Sequence, residues 1–83
     1  MKITVKVGSW ASECLSSPPP LKDHFFLLEL DLPKDATVRE AALMAGIPAE
    51  KLGISVIEDR VVRQNFVLSD GDTVALYPPI IGG

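Results

Sequence analysis

Residues 69–83 of the chain read SDGDTVALYPPIIGG, and distinct segments follow one another in this stretch. Asp70-Gly71 is typical of a turn. Thr73 to Tyr77 is rich in strand-forming residues that alternate between apolar and smaller or polar types. Pro78-Pro79 ends the strand, because proline has no N–H to donate to a ladder and its φ is fixed. The stretch therefore predicts a turn, a half-buried strand and a short tail.

The tail consists of Ile80-Ile81 followed by Gly82-Gly83, and we expect a free carboxylate on Gly83. A disordered terminus is the simplest interpretation of final residues, but such termini are more often polar than this one. Glycine takes backbone angles that other residues avoid and allows another backbone to approach closely. Ile80 and Ile81 are expected to anchor the tail in a partner, the alternative being that they fold back on the chain's own sheet. The tail thus predicts a reactive carboxylate that enters a narrow channel.

The whole stretch resembles the C-terminal region of the ubiquitin-like sulfur-carrier family, which includes thiamine-type and molybdopterin-type carriers. The shared pattern is a D-G-D turn, a hydrophobic strand, a proline-containing step and a terminal Gly-Gly. Here these segments are Asp70-Gly71-Asp72, Val74 to Tyr77, Pro78-Pro79 and Gly82-Gly83. Two prolines before a hydrophobic pair are more similar to the molybdopterin-type tail than to the thiamine-type tail.

Apolar periodicity predicts the other strands. Residues 2–7 and 24–32 alternate as half-buried strands do, and residues 54–58 and 60–63 are typical of two short strands joined at Asp59. In the strand near the end of the chain, Val74 and Leu76 are expected on the buried face, and Thr73, Ala75 and Tyr77 on the other.

One main helix is predicted between the strands. Thr37 and Glu40 fit a capping box, and apolar residues follow at helical spacing from Val38 to Ala45. Gly46 is placed to end the helix in the left-handed conformation. Single helical turns are expected within residues 10–15 and 48–52, and Phe66 and Leu68 are expected to lie under the domain. This order of elements predicts an α+β domain with one helix across one face of a mixed sheet.

The family resemblance makes this expectation more specific. It implies a β-grasp (ubiquitin-like) fold, a mixed sheet of about four to five strands whose first and last strands lie side by side in the centre. It also implies a division of the chain into a β-grasp domain over residues 1–77, with a long proline-rich loop at 8–23, and an extended tail over residues 78–83.

Composition excludes several classes of function. The 83 residues carry 47% hydrophobic side chains and a formal net charge of −3, which suits one small domain. No basic run is present to neutralise phosphates, so no nucleic-acid partner is expected. No apolar run approaches the roughly 18 residues that span a bilayer, and no signal peptide is recognised. We therefore expect a cytoplasmic protein with no membrane partner.

Cys14 and His24 are the only residues of their types in the chain. One cysteine forms no internal disulfide and no four-thiolate cluster, and one histidine contributes little to a zinc site, so no metal is expected. Cys14 is interpreted as an ordinary small residue, with a sulfur relay as the alternative. His24 is interpreted as structural or solvated rather than catalytic. Trp10 is interpreted as packing over the sheet edge, with a partner anchor as the alternative.

The resemblance implies a role for the tail. A terminal carboxylate has a pKa of about 3.5, so it is an anion at neutral pH and resists attack by sulfur. In the family, an E1-like adenylating enzyme activates the terminal glycine with ATP, a cysteine desulfurase or related donor supplies sulfur, and a downstream biosynthetic synthase uses the thiocarboxylate. Carried over to this chain, Gly83 is the adenylate and thiocarboxylate acceptor, and Gly82 is the neighbour that threads the channel. The implied partner-binding residues are Tyr77, Pro78, Pro79, Ile80 and Ile81.

On this interpretation the protein is a sulfur carrier and co-substrate, not an enzyme, with no bound cofactor. It would be the small subunit of a molybdopterin-type synthase if the molybdopterin-like tail decides the pathway. Six residues from Pro78 to Gly83 reach at most about 20 Å, enough to enter a buried site. Two alternatives stay open. One is a ubiquitin-like modifier joined through Gly83 to lysines of target proteins, and the other is a β-grasp binding module whose glycines are incidental.

Overall fold

The computed structural model describes residues 1–15 and 20–79. In chain order, its strands and α-helix are β1 (Lys2–Gly8), β2 (Phe25–Asp31), α1 (Val38–Ala45), β3 (Ser55–Ile57), β4 (Arg60–Val62) and β5 (Thr73–Leu76). Two short 3₁₀ helices, Ser9–Glu13 and Ala49–Lys51, lie in the connections. Both correspond to predicted helical turns, the first beginning one residue earlier than expected.

The five strands form one mixed sheet in the order β2-β1-β5-β3-β4. β1 and β5 are parallel neighbours in the centre, and every other pairing in the sheet is antiparallel. The inner side of α1 packs into the same core as the strands, through Val38, Ala41 and Ala42. This is the predicted α+β arrangement, with the first and last strands side by side.

The strand register places one apolar face against the helix. Val5 lies opposite Leu28 on β2 and opposite Val74 on β5, while Val7 lies opposite Phe26 and Leu76. Val5, Val7 and Val74 are completely buried. The predicted alternation of β5 is confirmed, because Val74 and Leu76 are buried whereas Thr73 and Tyr77 are exposed.

Helix α1 begins and ends as its sequence predicts. The Glu40 N–H donates to Thr37 Oγ1, and the Thr37 hydroxyl donates to Glu40 Oε1, both at 3.3 Å. Gly46 has φ 99° and ψ 8°, the left-handed conformation that ends many helices. A Cβ atom at Gly46 would lie 2.8 Å from the Cys14 carbonyl oxygen, so the helix end also rests against the connection after β1.

The predicted start of the second strand at His24 is wrong. Lys22 and Phe25 exchange two backbone hydrogen bonds, of 2.7 and 3.0 Å, so Asp23 and His24 are the two central residues of a tight turn. Their φ angles are 53° and 72°, values that a strand residue does not take. Alternation of residue types extended the predicted strand one residue into this turn.

The expectation that both Phe66 and Leu68 lie under the domain is half correct. Leu68 is buried, but Phe66 is 42% exposed. The reason is a turn at this point, in which the Phe66 N–H donates to the Arg63 carbonyl at 3.0 Å. The carbonyl of Phe66 then accepts from the Val38 N–H at the start of α1. The segment satisfies an amide of the first helical turn instead of forming a strand.

Candidate functional site

The turn before β5 is fixed by the side chains of Asp70 and Asp72. The Lys2 N–H donates to Asp70 Oδ1 at 2.6 Å, and the Gly71 N–H donates to the Lys2 carbonyl at 2.8 Å. The Ser69 N–H donates to Asp72 Oδ2 at 2.8 Å. Gly71 has φ 89°, which suits glycine. Both carboxylates therefore hold the turn that starts the central strand, as the turn interpretation predicts.

The opposite end of β5 is where the chain leaves the sheet. The Tyr77 N–H donates to the Ile54 carbonyl at 2.9 Å, and the Gly53 N–H donates to the Tyr77 carbonyl at 2.8 Å. These two bonds extend the ladder between β3 and β5 by one residue. Pro78 has no N–H, so it cannot continue that ladder. Within the part of the chain that the structure describes, Tyr77 is the last residue held in this way, and Pro78 follows it as an exposed residue.

An open groove of about 420 Å³ lies beside this exit, on the face of the sheet opposite the helix. Its lining includes the apolar and aromatic residues Val56, Ala75 and Tyr77, the acidic residues Glu58, Asp59 and Asp72, and the basic residue Lys6. Tyr77 is 40% exposed, so its ring is available for contact. The three carboxylates outnumber the one lysine in the lining, so the groove favours a basic partner.

The other residues considered in the sequence, Cys14, His24 and Trp10, have the following surroundings in the fold. Cys14 is a free, partly buried thiol packed against the core. His24 is exposed in its turn. Trp10 is partly buried against the core, which agrees with the packing interpretation.

Residues 1–15 and 20–79 hold neither a cluster of three potential metal ligands nor a helix long enough to cross a membrane. No group of three or more His, Cys, Asp and Glu side chains is placed there to hold a metal ion. No helix in that part of the chain has the length and apolar character to cross a membrane.

Three of the predicted site residues, which are consecutive in sequence, lie within the described part of the chain. Tyr77 and Pro78 are exposed and Pro79 is half-buried. The other predicted site residues, Ile80, Ile81, Gly82 and Gly83, lie outside the described residues, so their roles stay predictions, as does the domain boundary after Tyr77.

Sequence reasoning missed Gly53 and Ile54, which hold Tyr77. The available signal was a lone glycine between Leu52 and Ile54 directly before a strand, a position that often marks the close approach of another backbone. That signal does not say which backbone approaches, because the approaching segment lies more than twenty residues away in sequence.

Comparison with solved structures identifies the architecture. The crystal structure of SAMP1 from Haloferax volcanii is similar over the whole of both chains, with 20% sequence identity and a TM-score of 0.65. The fold is the ubiquitin-like β-grasp. A crystal structure of H. volcanii small archaeal modifier protein 1 covers 95% of this chain and 98% of its own, with 19% identity and a TM-score of 0.65.

A ubiquitin-like protein from the hyperthermophilic archaeon Caldiarchaeum subterraneum is similar over 99% of this chain and 100% of its own, with 19% identity and a TM-score of 0.52. Identities of this size show a shared fold and nothing finer. No protein-family model and no curated protein matches the chain in sequence.

Proposed function

We propose that the protein is a ubiquitin-like carrier whose Gly83 carboxylate is adenylated by an ATP-using, E1-like partner and then converted to a thiocarboxylate. The observation that carries this proposal is the exit at Tyr77. The central strand of a β-grasp sheet ends there in a backbone-held tyrosine and an exposed proline, and the sequence that follows is Pro-Ile-Ile-Gly-Gly. A rigid domain with such an exit suits the presentation of a chain end to a partner's active site.

The proposed chemistry takes place in two steps. The Gly83 carboxylate attacks the α-phosphorus of ATP, and pyrophosphate leaves. Hydrosulfide then attacks the acyl carbon, and AMP leaves with the oxygen that joined it to the acyl group. Where the sulfur comes instead from the cysteine persulfide of a donor protein, the persulfide displaces AMP to give an acyl disulfide, and a thiol cleaves that disulfide to leave the thiocarboxylate and a new disulfide. With hydrosulfide as the nucleophile, the product is a thiocarboxylate and no oxidant or reductant is needed. The carrier supplies the carboxylate and its placement, and the partner supplies the catalytic groups.

The groove beside Tyr77 supports docking of such a partner. Its apolar part and exposed tyrosine ring provide contact area of the kind that dominates binding energy at interfaces. The acidic residues Glu58, Asp59 and Asp72 line the same groove. A basic surface on the activating enzyme would be steered toward them.

The later steps of the proposal follow the resemblance of the tail. A cysteine desulfurase or related donor supplies the sulfur, and a downstream biosynthetic synthase consumes the thiocarboxylate. The Pro-Pro step before two isoleucines favours a synthase of the molybdopterin type over one of the thiamine type. The carrier acts in the cytoplasm as a co-substrate and binds no cofactor of its own.

A second candidate function is protein modification, in which Gly83 forms an isopeptide bond with a lysine of a target protein. It is favoured by a specific observation, since one of the similar crystal structures is of a protein called small archaeal modifier protein 1. Adenylation of Gly83 is the first step in both functions. The two differ only in the nucleophile that displaces AMP.

Intact-mass measurement tests both candidates. The protein is incubated with the E1-like enzyme of the same organism, ATP and sodium hydrosulfide, with the matched variant lacking Gly82 and Gly83 as control. A mass gain equal to the exchange of one oxygen for sulfur, absent from the control, supports the carrier. ATP-dependent adducts to protein lysines in an extract, without that gain, support the modifier. Absence of both products contradicts activation at Gly83.

A further inference from the structure

Gly53 makes an unusually close backbone contact with Pro78 and Pro79, the exit segment of the domain. A Cβ atom built at this position would lie 2.5 Å from the Pro78 carbonyl oxygen, 2.6 Å from the Pro78 carbonyl carbon and 2.7 Å from the Pro79 nitrogen. All three are backbone atoms, so they cannot move aside as the end of a flexible side chain can. The observed path of the chain through Pro78 and Pro79 therefore requires glycine at position 53.

The requirement at Gly53 differs from that at other glycines of the domain. Gly46 and Gly71 have φ of 99° and 89°, so their positions demand a left-handed backbone. Gly53 is outside that conformational region, and its demand is only for space. At Gly8, a Cβ atom would meet Cδ1 and Nε1 of the Trp10 side chain at 3.0 and 3.3 Å, and that side chain can adjust. Gly53 is thus the position where an added methyl group must displace the exit segment.

The hydrogen bonds around Gly53 explain why the small size of this residue controls the direction of the chain at Pro78. The Gly53 N–H holds the Tyr77 carbonyl at 2.8 Å, so the backbone of the two segments is already in contact one residue before Pro78. Pro78 and Pro79 lack N–H groups, so they donate no further ladder bonds. Contact with the bare backbone of Gly53 is then a close steric constraint on how the chain turns away at Pro78.

We propose that Gly53 is a positioning residue, whose missing side chain sets the direction in which the chain leaves the domain toward Gly83. The proposal rests on the function proposed above and makes it more specific. Presentation of the tail depends on a residue of the loop before β3 as well as on the tail itself. Errors of about 1 Å in the placement of a reacting group can lower a rate by about 100-fold, so a displaced exit has a measurable effect.

The test compares wild-type protein, Gly53→Ala and the matched control Gly8→Ala in ATP–pyrophosphate exchange catalysed by the E1-like enzyme. For Gly53→Ala we expect kcat to fall about tenfold or more, because the carboxylate is misplaced after docking. KM for the carrier should change by less than about threefold, because the acidic groove residues Glu58, Asp59 and Asp72 lie away from residue 53. Gly8→Ala should stay within about twofold of wild type in both constants. Unchanged kcat in folded Gly53→Ala would overturn the proposal.

A double-mutant cycle separates positioning from a loss of folding. Pro78→Gly frees the exit backbone to move around an added methyl group, so Gly53→Ala should reduce kcat less in that background than in wild type. Equal reductions in the two backgrounds would contradict the proposal. Unfolding of Gly53→Ala in both backgrounds, seen by circular dichroism, would show that the residue serves stability and would also overturn it.

Hydrogen exchange gives a readout that does not depend on activation. In Gly53→Ala, the amide of residue 53 should lose protection because its bond to the Tyr77 carbonyl is displaced, whereas the amides of β1 keep theirs. Full protection at residue 53 would contradict the displaced exit. A wild-type protein that no adenylating enzyme activates would refute the proposed function. Normal wild-type activation with an unaffected Gly53→Ala would refute only the role of Gly53.

Discussion

Strand β5 begins at a turn that side chains help the backbone to hold, and it ends at a crossing held by backbone hydrogen bonds. At its start, the carboxylates of Asp70 and Asp72 accept hydrogen bonds from the Lys2 and Ser69 amides. At its end, Tyr77 is bonded to the backbone of Gly53 and Ile54. The first arrangement ties the starts of the two central strands together, and the second is followed by Pro78, which has no N–H to donate to the ladder. The comparison suggests that the start of β5 serves stability and its end serves presentation of the tail.

The largest effect is expected beyond the exit, from Gly82→Val. A valine side chain should prevent the tail from threading a narrow channel, because glycine alone lets another backbone come so close. We expect activation by the E1-like enzyme to fall by about 100-fold or more, with the melting temperature unchanged. Steady-state pyrophosphate exchange and a thermal melt measure the two quantities. Normal activation kinetics for Gly82→Val would remove the distinction between the two ends of β5.

At the start of β5, we expect Asp70→Ala to lower stability and to leave activation unchanged, the reverse of Gly82→Val. This change removes the acceptor of the Lys2 N–H, and we expect the free energy of unfolding to fall by about 1.5 kcal/mol. Asp70→Asn, which keeps an uncharged acceptor, should lose less free energy of unfolding than Asp70→Ala. Chemical denaturation measures the loss. Below the melting temperature, both variants should be activated at the wild-type rate, and a lowered kcat in folded Asp70→Ala would mean that the turn also serves activation.

Ser55 tests whether the region next to the exit is optimised for stability. It lies opposite Leu76 on β5, is 1% exposed, and its hydroxyl has no hydrogen-bond partner among the described residues. A buried hydroxyl without a partner costs free energy, so Ser55→Ala should raise the free energy of unfolding by about 1 kcal/mol. Denaturant unfolding of wild-type protein and Ser55→Ala measures this change in the free energy of unfolding. A clear loss of stability would show that the hydroxyl has a partner that the described residues do not reveal.

The smallest effect is expected at the turn between β3 and β4, which borders the groove. Glu58 and Asp59 have φ of 50° and 63°, the left-handed values of a two-residue hairpin turn. Asparagine tolerates this conformation better than glutamate, so Glu58→Asn should stabilise the domain by roughly 0.5 kcal/mol. The variant also removes one acidic side chain from the groove. A stabilised variant that docks less well would sharpen the contrast between stability and partner binding in this region.

Local sequence patterns predicted most of the fold for identifiable physical reasons. The Thr37–Glu40 capping box and Gly46 mark the ends of α1 because capping depends on residues within one turn of each other. The faces of β1 and β5 follow from strict alternation of residue types. The Asp70-Gly71 turn was predictable because its geometry depends on residue type.

Features that depend on distant segments were not predictable from such patterns. The exposure of Phe66 follows from a turn whose carbonyl groups serve the start of α1. The local turn at Asp23 and His24 was missed for a different reason, because it places two non-glycine residues at positive φ, a conformation that residue type permits but does not require. At the site, Pro78-Pro79 predicted where β5 stops, because proline cannot donate to the ladder. The sequence did not identify Gly53, because the need for glycine there arises only when Pro78 is brought against it.

The most direct test of the central claim compares the wild-type protein with a variant that carries one alanine appended after Gly83. ATP–pyrophosphate exchange by the E1-like enzyme is measured for both, together with the thermal melt of each. The account predicts exchange for the wild type and none for the extended variant, with equal melting temperatures, because one added residue moves the carboxylate away from the adenylation site. Equal exchange by the two proteins, with the added alanine shown by mass to be intact, would contradict the claim that Gly83 is the reacting residue.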